Sequence, residues 1–132
     1  MLFDINVVPK KYKNSPKVQP TPNTELRYIG NRRCHINSLS YAKTEPKVKK
    51  IIGCLQVFNC GYSCVHFVVE MLNGDIVDPT FGNMISEYDY IIELKEYKIE
   101  EFKPRTELNE LKREIFLEHN FFKRAFNSED DM

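Results

Sequence analysis

The chain has 132 residues, enough for one domain with a modest core and too few for two. Its 42% hydrophobic and 29% charged residues are the proportions of an ordinary soluble globular protein, and no apolar run reaches the roughly 18 residues of a membrane span, so neither a disordered nor a membrane-spanning helical chain is expected. Net charge is zero but unevenly spread: residues 1–50 hold 11 Lys or Arg against 3 acids, and the remainder 8 against 16, so the two halves are expected to attract each other within one fold.

Residues 1–24 are Pro-rich and polar, with Pro9, Pro16, Pro20 and Pro22, and predict an extended or partly disordered arm that starts with a short strand over Phe3, Ile5, Val7 and Val8. Asp4 stands where a signal peptide would carry basic residues, which leads to the expectation of a cytoplasmic protein. Gly30-Asn31 is a turn signal, and a helix is predicted from Cys34 to about Lys43, with Ile36, Leu39 and Tyr41-Ala42 on its apolar side and Pro46 limiting it. Two strands follow, Lys50 to Phe58 and Cys64 to Leu72. Asn73-Gly74 predicts a two-residue hairpin turn, and Asp75 to Asp78 returns as a third strand, stopped by Pro79. Such a turn sets residues whose numbers sum to about 147 opposite one another, with Asp78 across from Val69. Tyr88 to Leu94 predicts a fourth strand. A final helix is expected with Thr106 as N-cap and an apolar face of Leu108, Leu111, Ile115, Phe122 and Phe126, a docking surface for the sheet. The fold class is therefore α+β, one domain.

The chemistry-bearing residues follow from what a thiol needs. A helix N-terminus stabilises a thiolate through its unpaired N–H groups and dipole, and Cys34 stands at the predicted start of the first helix behind Arg32 and Arg33. A base is required: His66 lies within the second strand, sharing a face with Val68 and Glu70. A carboxylate must orient that base, and Asp78 ends the adjacent strand. Asn31, Asn37 and Tyr28 are candidate oxyanion or substrate-orienting donors. His35 is expected to pack or face substrate, because neighbouring helical side chains diverge by about 100°. His119 is expected to be a core histidine of the last helix.

The stretch His66-Phe-Val-Val-Glu70-Met-Leu-Asn-Gly74-Asp-Ile-Val-Asp78-Pro79-Thr80 resembles the His and Asp portion of the transglutaminase-like superfamily, with Cys34 on an upstream helix and Gly53 on the intervening strand in the family's order. Cys34-His35-Ile36-Asn37 is similar to the Cys-His-x-Asn segment of small phage-encoded members. The resemblance covers about residues 30–82. It implies a papain-like core with the N-terminal helix packed on an antiparallel sheet. It implies a Cys34-His66-Asp78 triad and acyl transfer on an amide or isopeptide-type bond of a protein or peptide through a thioester, as protease, amidase, deamidase or transglutaminase. No cofactor and no metal are implied, and a phage-encoded member would act in the host cytoplasm.

Two other readings stand beside this one. Cys54, Cys60, Cys64 and His66 would be ligands of a structural zinc, although Cys60-x3-Cys64 lacks the usual knuckle repetition. The fold would alternatively serve, without catalysis, as a small inhibitor or host-protein-binding factor contacting its partner through residues 1–24. Neither a membrane nor nucleic acid is an expected partner, since no aromatic-interleaved basic motif is present.

Overall fold

Two long strands carry the sheet: β2 (Val48–Val57) and β3 (Tyr62–Met71) pair antiparallel, with Gly53 opposite Phe67 and Cys54 opposite His66. The computed structural model describes residues 6–23, 25–59, 61–87 and 90–119. Phe3, Ile5, Cys60, Tyr88, Phe122, Phe126 and the side chain of His119, all singled out above, lie outside the described residues and side chains. Residues 51–57 are buried without a break, which is why this strand reads as a continuous apolar run: both its faces are covered. Short β1 (Asn6–Val7) pairs with the start of β3, and β4 (Ile76–Val77) with its end. β5 (Tyr90–Tyr97) pairs with β2, giving the order β1-β3-β2-β5 with β4 beside β3. The fourth strand of the sequence reading thus crosses the sheet to the far side of β2. The protein is α+β, and every strand pair among the described residues is antiparallel.

Helices α1 (Cys34–Thr44) and α2 (Pro104–His119) lie on one face. There Ile51, Leu55, Phe67 and Val69 pack with Ala42, Leu111 and Ile115. α2 begins at Pro104, two residues before the expected cap Thr106, because a proline at the first helical turn gives up an N–H that has no intrahelical partner. The opposite face, with Ile52, Cys54, Val68 and Ile91, is covered by Val18 of the N-terminal arm and by Phe58 and Phe81. The arm is pinned there: Val18 and Ile91 exchange backbone hydrogen bonds of 2.9 and 2.8 Å, and the Thr21 N–H donates to the Ile76 carbonyl at 2.7 Å. No helix among the described residues is long and apolar enough to cross a membrane.

Gly53 permits the close seating of α2. A Cβ there would lie 2.8 Å from Leu111 Cδ2, 3.1 Å from the Tyr97 ring and 3.2 Å from the Phe67 ring. Gly53→Val is expected to destabilise the fold by about 2–3 kcal/mol, the cost of overpacking a filled core. Urea unfolding measures it, and an unchanged midpoint would mean that α2 does not rest on this glycine.

The hairpin joining β3 to β4 departs from the two-residue turn. Asn73 does not take a positive φ; Gly74 does, at 94°. The Gly74 N–H donates to the Met71 carbonyl and the Met71 N–H to the Asp75 carbonyl, so three residues form the loop. The extra residue moves the register: Val77 opposes Val69 and Ile76 opposes Glu70. Continued by one residue, that register sets Asp78 across from Val68, on the His66 face, whereas the expected pairing with Val69 would have turned it away.

Candidate active site

β3 leaves a gap on its outer edge. β1 covers it at Tyr62–Ser63 and β4 at Val69–Glu70. Between them the N-terminus of α1 takes the place of a strand: the Ser38 hydroxyl donates to the Phe67 carbonyl at 3.0 Å, and the Phe67 N–H bonds the Cys34 sulfur. A satisfied strand edge and a positioned thiol are thus one arrangement.

Cys34 occupies the first helical position. The residue before it, Arg33, gives the helix no side-chain cap, and no acid sits in the first turn, so the N-terminal N–H groups and their partial positive charge are left for an anion. Arg32, just upstream, has φ of 58°, a left-handed conformation that costs a non-glycine residue about 1–2 kcal/mol. Asn31 steadies this turn by accepting from the Arg33 N–H at 3.0 Å.

His66 is 3% exposed, and its Nε2 lies 2.7 Å from Asp78 Oδ2. Its other ring nitrogen, Nδ1, is left for the thiol, with which the ring makes a hydrogen bond. Asp78 is 1% exposed, and its Oδ1 accepts from the N–H groups of Thr80 at 2.8 Å and Phe81 at 2.9 Å. The carboxylate is therefore fixed by its own turn, and it fixes the imidazole. Gly82 closes that turn with φ of 53°; a Cβ there would stand 2.5 Å from the Leu26 carbonyl oxygen. Backbone hydrogen bonds from Ile29 to Thr80 and from Asn83 to Leu26 tie the segment before Cys34 to the segment after Asp78.

The charges follow from this packing. Burial opposes ionisation of Cys34, but the His66 charge, hydrogen bonds from His35 and His66 and the Phe67 N–H outweigh it, and the thiol pKa falls from 9.0 to about 6. Burial likewise opposes a charged His66; the Asp78 and Cys34 charges and hydrogen bonds outweigh it and raise its pKa from 6.5 to about 10. Near neutrality the pair is a thiolate beside an imidazolium. Cys54 contrasts with Cys34: burial, reinforced by the charges of Asp78 and Cys34, pushes its thiol well above the ordinary value, and it donates to the His66 carbonyl at 3.4 Å.

Cys34 and His66 line a cleft of about 400 Å³ walled by Tyr28, Phe58, Phe81 and Leu108, with Arg32 and Lys112 adding positive charge. The three triad candidates are thus brought together. Of the candidate orienting residues, Tyr28 lines the cleft, its ring tilted at 40° to that of Phe81 with 5.5 Å between centroids. Asn31 and Asn37 do not. The Asn37 amide donates to Asn31 Oδ1 and to Thr80 Oγ1, both at 3.0 Å, so it braces α1 against the Asp78 turn and has no hydrogen left for an oxyanion. His35 is buried on the cleft wall, in hydrogen-bond contact with the thiol. Of the residues weighed as zinc ligands, His66 is engaged by Asp78 and Cys34, Cys54 by the His66 carbonyl, and Cys64 by Gln56.

Gln56 is the cleft residue that the sequence reading passed over. It sits on β2 opposite Cys64, 2% exposed. Its Oε1 accepts from the Cys64 thiol at 3.5 Å, while its Nε2 is buried without a partner. The signal available was an amide in the otherwise apolar run Leu55-Gln56-Val57. Comparison with protein-family models, curated proteins and solved structures gives no match for this chain.

Proposed function

We propose that the chain is a cysteine-nucleophile acyl-transfer enzyme of the transglutaminase-like, papain-like kind, acting on an amide or isopeptide-type bond of a protein or peptide. The observation that carries this reading is the relay from Asp78 Oδ2, 2.7 Å from His66 Nε2, through the ring to a thiol at the uncapped start of a helix. Those are the parts such chemistry requires: a nucleophile, a base in reach of it, and a group that orients the base.

The Cys34 thiolate attacks the acyl carbon, forming a C–S bond as the carbonyl electron pair moves onto oxygen. Collapse of that oxyanion breaks the C–N bond, and His66 hands its Nδ1 proton to the leaving amine. His66, neutral again, then takes a proton from water or from an amine, which attacks the thioester and releases Cys34. Water completes hydrolysis, and an amine completes transamidation. Asp78 holds the imidazole in one orientation throughout and stays ionised.

Casein peptides offered with a fluorescent primary amine separate the outcomes. Transamidation releases ammonia and fixes the amine to glutamine side chains, deamidation releases ammonia and leaves glutamate with no amine fixed, and proteolysis creates new N-termini. Each is expected to vanish in Cys34→Ala. If the wild-type protein gives none of the three and forms no Cys34 thioester with an activated ester, the reading is wrong.

A further inference from the structure

The side chains added to the cleft by its surroundings bring charge of one sign. Arg32, in the turn before α1, and Lys112, on α2, both line it, and among the described residues no acid does, although bases and acids number 19 each along the chain. The remaining charge is the triad's own: the Cys34 thiolate and the His66 imidazolium balance each other, and the Asp78 carboxylate is engaged by the far side of the ring and by the Thr80 and Phe81 N–H groups. Tyr28, Phe58, Phe81 and Leu108 make the other walls apolar. A cleft with low-dielectric walls and charges of one sign focuses its field and draws in groups of the opposite sign.

Arg32 holds its place against a backbone cost. It is the one described non-glycine residue with a positive φ, at 58°, a conformation that glycine adopts freely. The bond that secures this turn runs from the Arg33 N–H to the Asn31 side chain, and it would serve a glycine at position 32 equally well. Strain of this kind at a residue lining a cleft points to a use for the side chain. Lys112 arrives from a separate element, half-buried one helical turn beyond Leu108 and on the same side of α2.

We infer that the cleft selects an acidic acyl donor: a peptide with an aspartate or glutamate side chain one to three residues from the reacting carbonyl, held by Arg32 and drawn in by Lys112. The inference rests on the acyl-transfer reading above and adds its substrate class. Two residues of chain, at most about 7 Å, separate Arg32 from Cys34, and an extended peptide spans about 3.3 Å per residue, which sets that range. A guanidinium suits a carboxylate because its paired N–H groups match the two oxygens.

The p-nitrophenyl esters of acetyl-Asp-Phe-Gly, acetyl-Asn-Phe-Gly and acetyl-Lys-Phe-Gly test this. The Cys34 thiolate attacks the glycyl carbonyl, a C–S bond forms, the C–O bond breaks and p-nitrophenolate leaves. Released nitrophenolate, less that from Cys34→Ala, therefore reports acylation of Cys34 whatever the acyl acceptor. At about 10 mM salt the second-order rate constant is expected to be about fivefold higher for the Asp peptide than for the Asn peptide, and about 20-fold higher than for the Lys peptide. Those are the sizes of an attractive and of a reversed charge contact at a partly exposed site. At about 0.5 M salt both ratios shrink below about twofold. Arg32→Gly, which also lifts the backbone cost, and Lys112→Gln are each expected to lower the Asp-over-Asn ratio by at least about twofold. A ratio taken within one variant cancels any general change in its activity. Equal rates for the three peptides, or a preference for Asp that both variants retain, overturn the inference and leave the acyl-transfer reading standing. Failure of all three esters to acylate Cys34 overturns that reading itself.

Discussion

Cys34 is expected to react with iodoacetamide with a pH midpoint near its pKa of about 6, instead of the roughly 8.5 of a free cysteine. The magnitude depends on where it is measured, because a lower pKa yields more thiolate but a weaker nucleophile. With a Brønsted slope of about 0.45, the loss in nucleophilicity across that interval is about tenfold. At pH 7 the gain in thiolate is about thirtyfold, so the net advantage over a free cysteine is only a fewfold. Near pH 5.5 the gain in thiolate is over two hundredfold and the net advantage about twentyfold, so the acid side is the place to look. His66→Ala removes the charge that offsets burial, and burial alone raises a thiol pKa. The midpoint then moves to 8.5 or above, and the rate at pH 6 drops by at least about tenfold. The proposed acyl transfer should rise as pH passes about 6, where Cys34 ionises, and fall as it passes about 10, where the imidazolium that would protonate the leaving amine is lost. These two values belong to the coupled pair. A wild-type midpoint above pH 8, or one that ignores His66→Ala, would mean that the pair does not act as a unit.

Much of this site is legible in the chain before any coordinates. The helix start at Cys34 follows from Gly30-Asn31 and the apolar spacing behind it, and the two central strands follow from their β-branched runs. The choice of His66 and Asp78 was a matter of order and motif. Their actual meeting depended on a detail that residue types do not reveal, namely whether Asn73-Gly74 makes a two- or a three-residue loop. One residue in that loop decides which face Asp78 takes. Gln56 was illegible for a related reason. A glutamine within an apolar strand is read as a buried polar residue with a partner, and that its nitrogen has none emerges only once the strands are in register. Asn31 and Asn37 looked like donors because they flank Cys34, but proximity in sequence does not show where an amide hydrogen points. Charge balance between the basic and acidic halves said nothing about the site, whose electrostatics come chiefly from three buried groups and a helix end, with Arg32 and Lys112 adding charge on the cleft wall.

Asp78→Ala is expected to cost about 3–5 kcal/mol of stability at neutral pH, the penalty for removing one partner of a buried charged pair. The loss is larger than a surface ion pair would give, because the carboxylate serves several donors at once, among them the His66 ring and the N–H groups of Thr80 and Phe81. Asp78→Asn separates those duties. Its Oδ1 can still accept from both backbone groups, so the turn survives and a smaller loss of about 1–2 kcal/mol is expected. Its amide nitrogen, however, donates where the carboxylate accepted. His66 Nε2 must then accept, the ring proton moves to Nδ1, and the imidazolium loses the charge that raised its pKa. The pH dependence of stability should change in step. In the wild type the thiolate's contribution is lost as pH falls through about 6 and the imidazolium's as pH rises through about 10, so stability is greatest between those limits. In Asp78→Asn that maximum flattens, and Cys34 alkylation at pH 6 falls as it does in His66→Ala. Urea midpoints across pH for the three proteins measure the first effect and alkylation rates the second. An alanine variant within about 1 kcal/mol of the wild type would show that the carboxylate is not the brace of this turn. An asparagine variant with an unshifted Cys34 midpoint would show that the thiolate owes its stability to the end of α1 and the Phe67 N–H, with no help from the charge that Asp78 holds on His66.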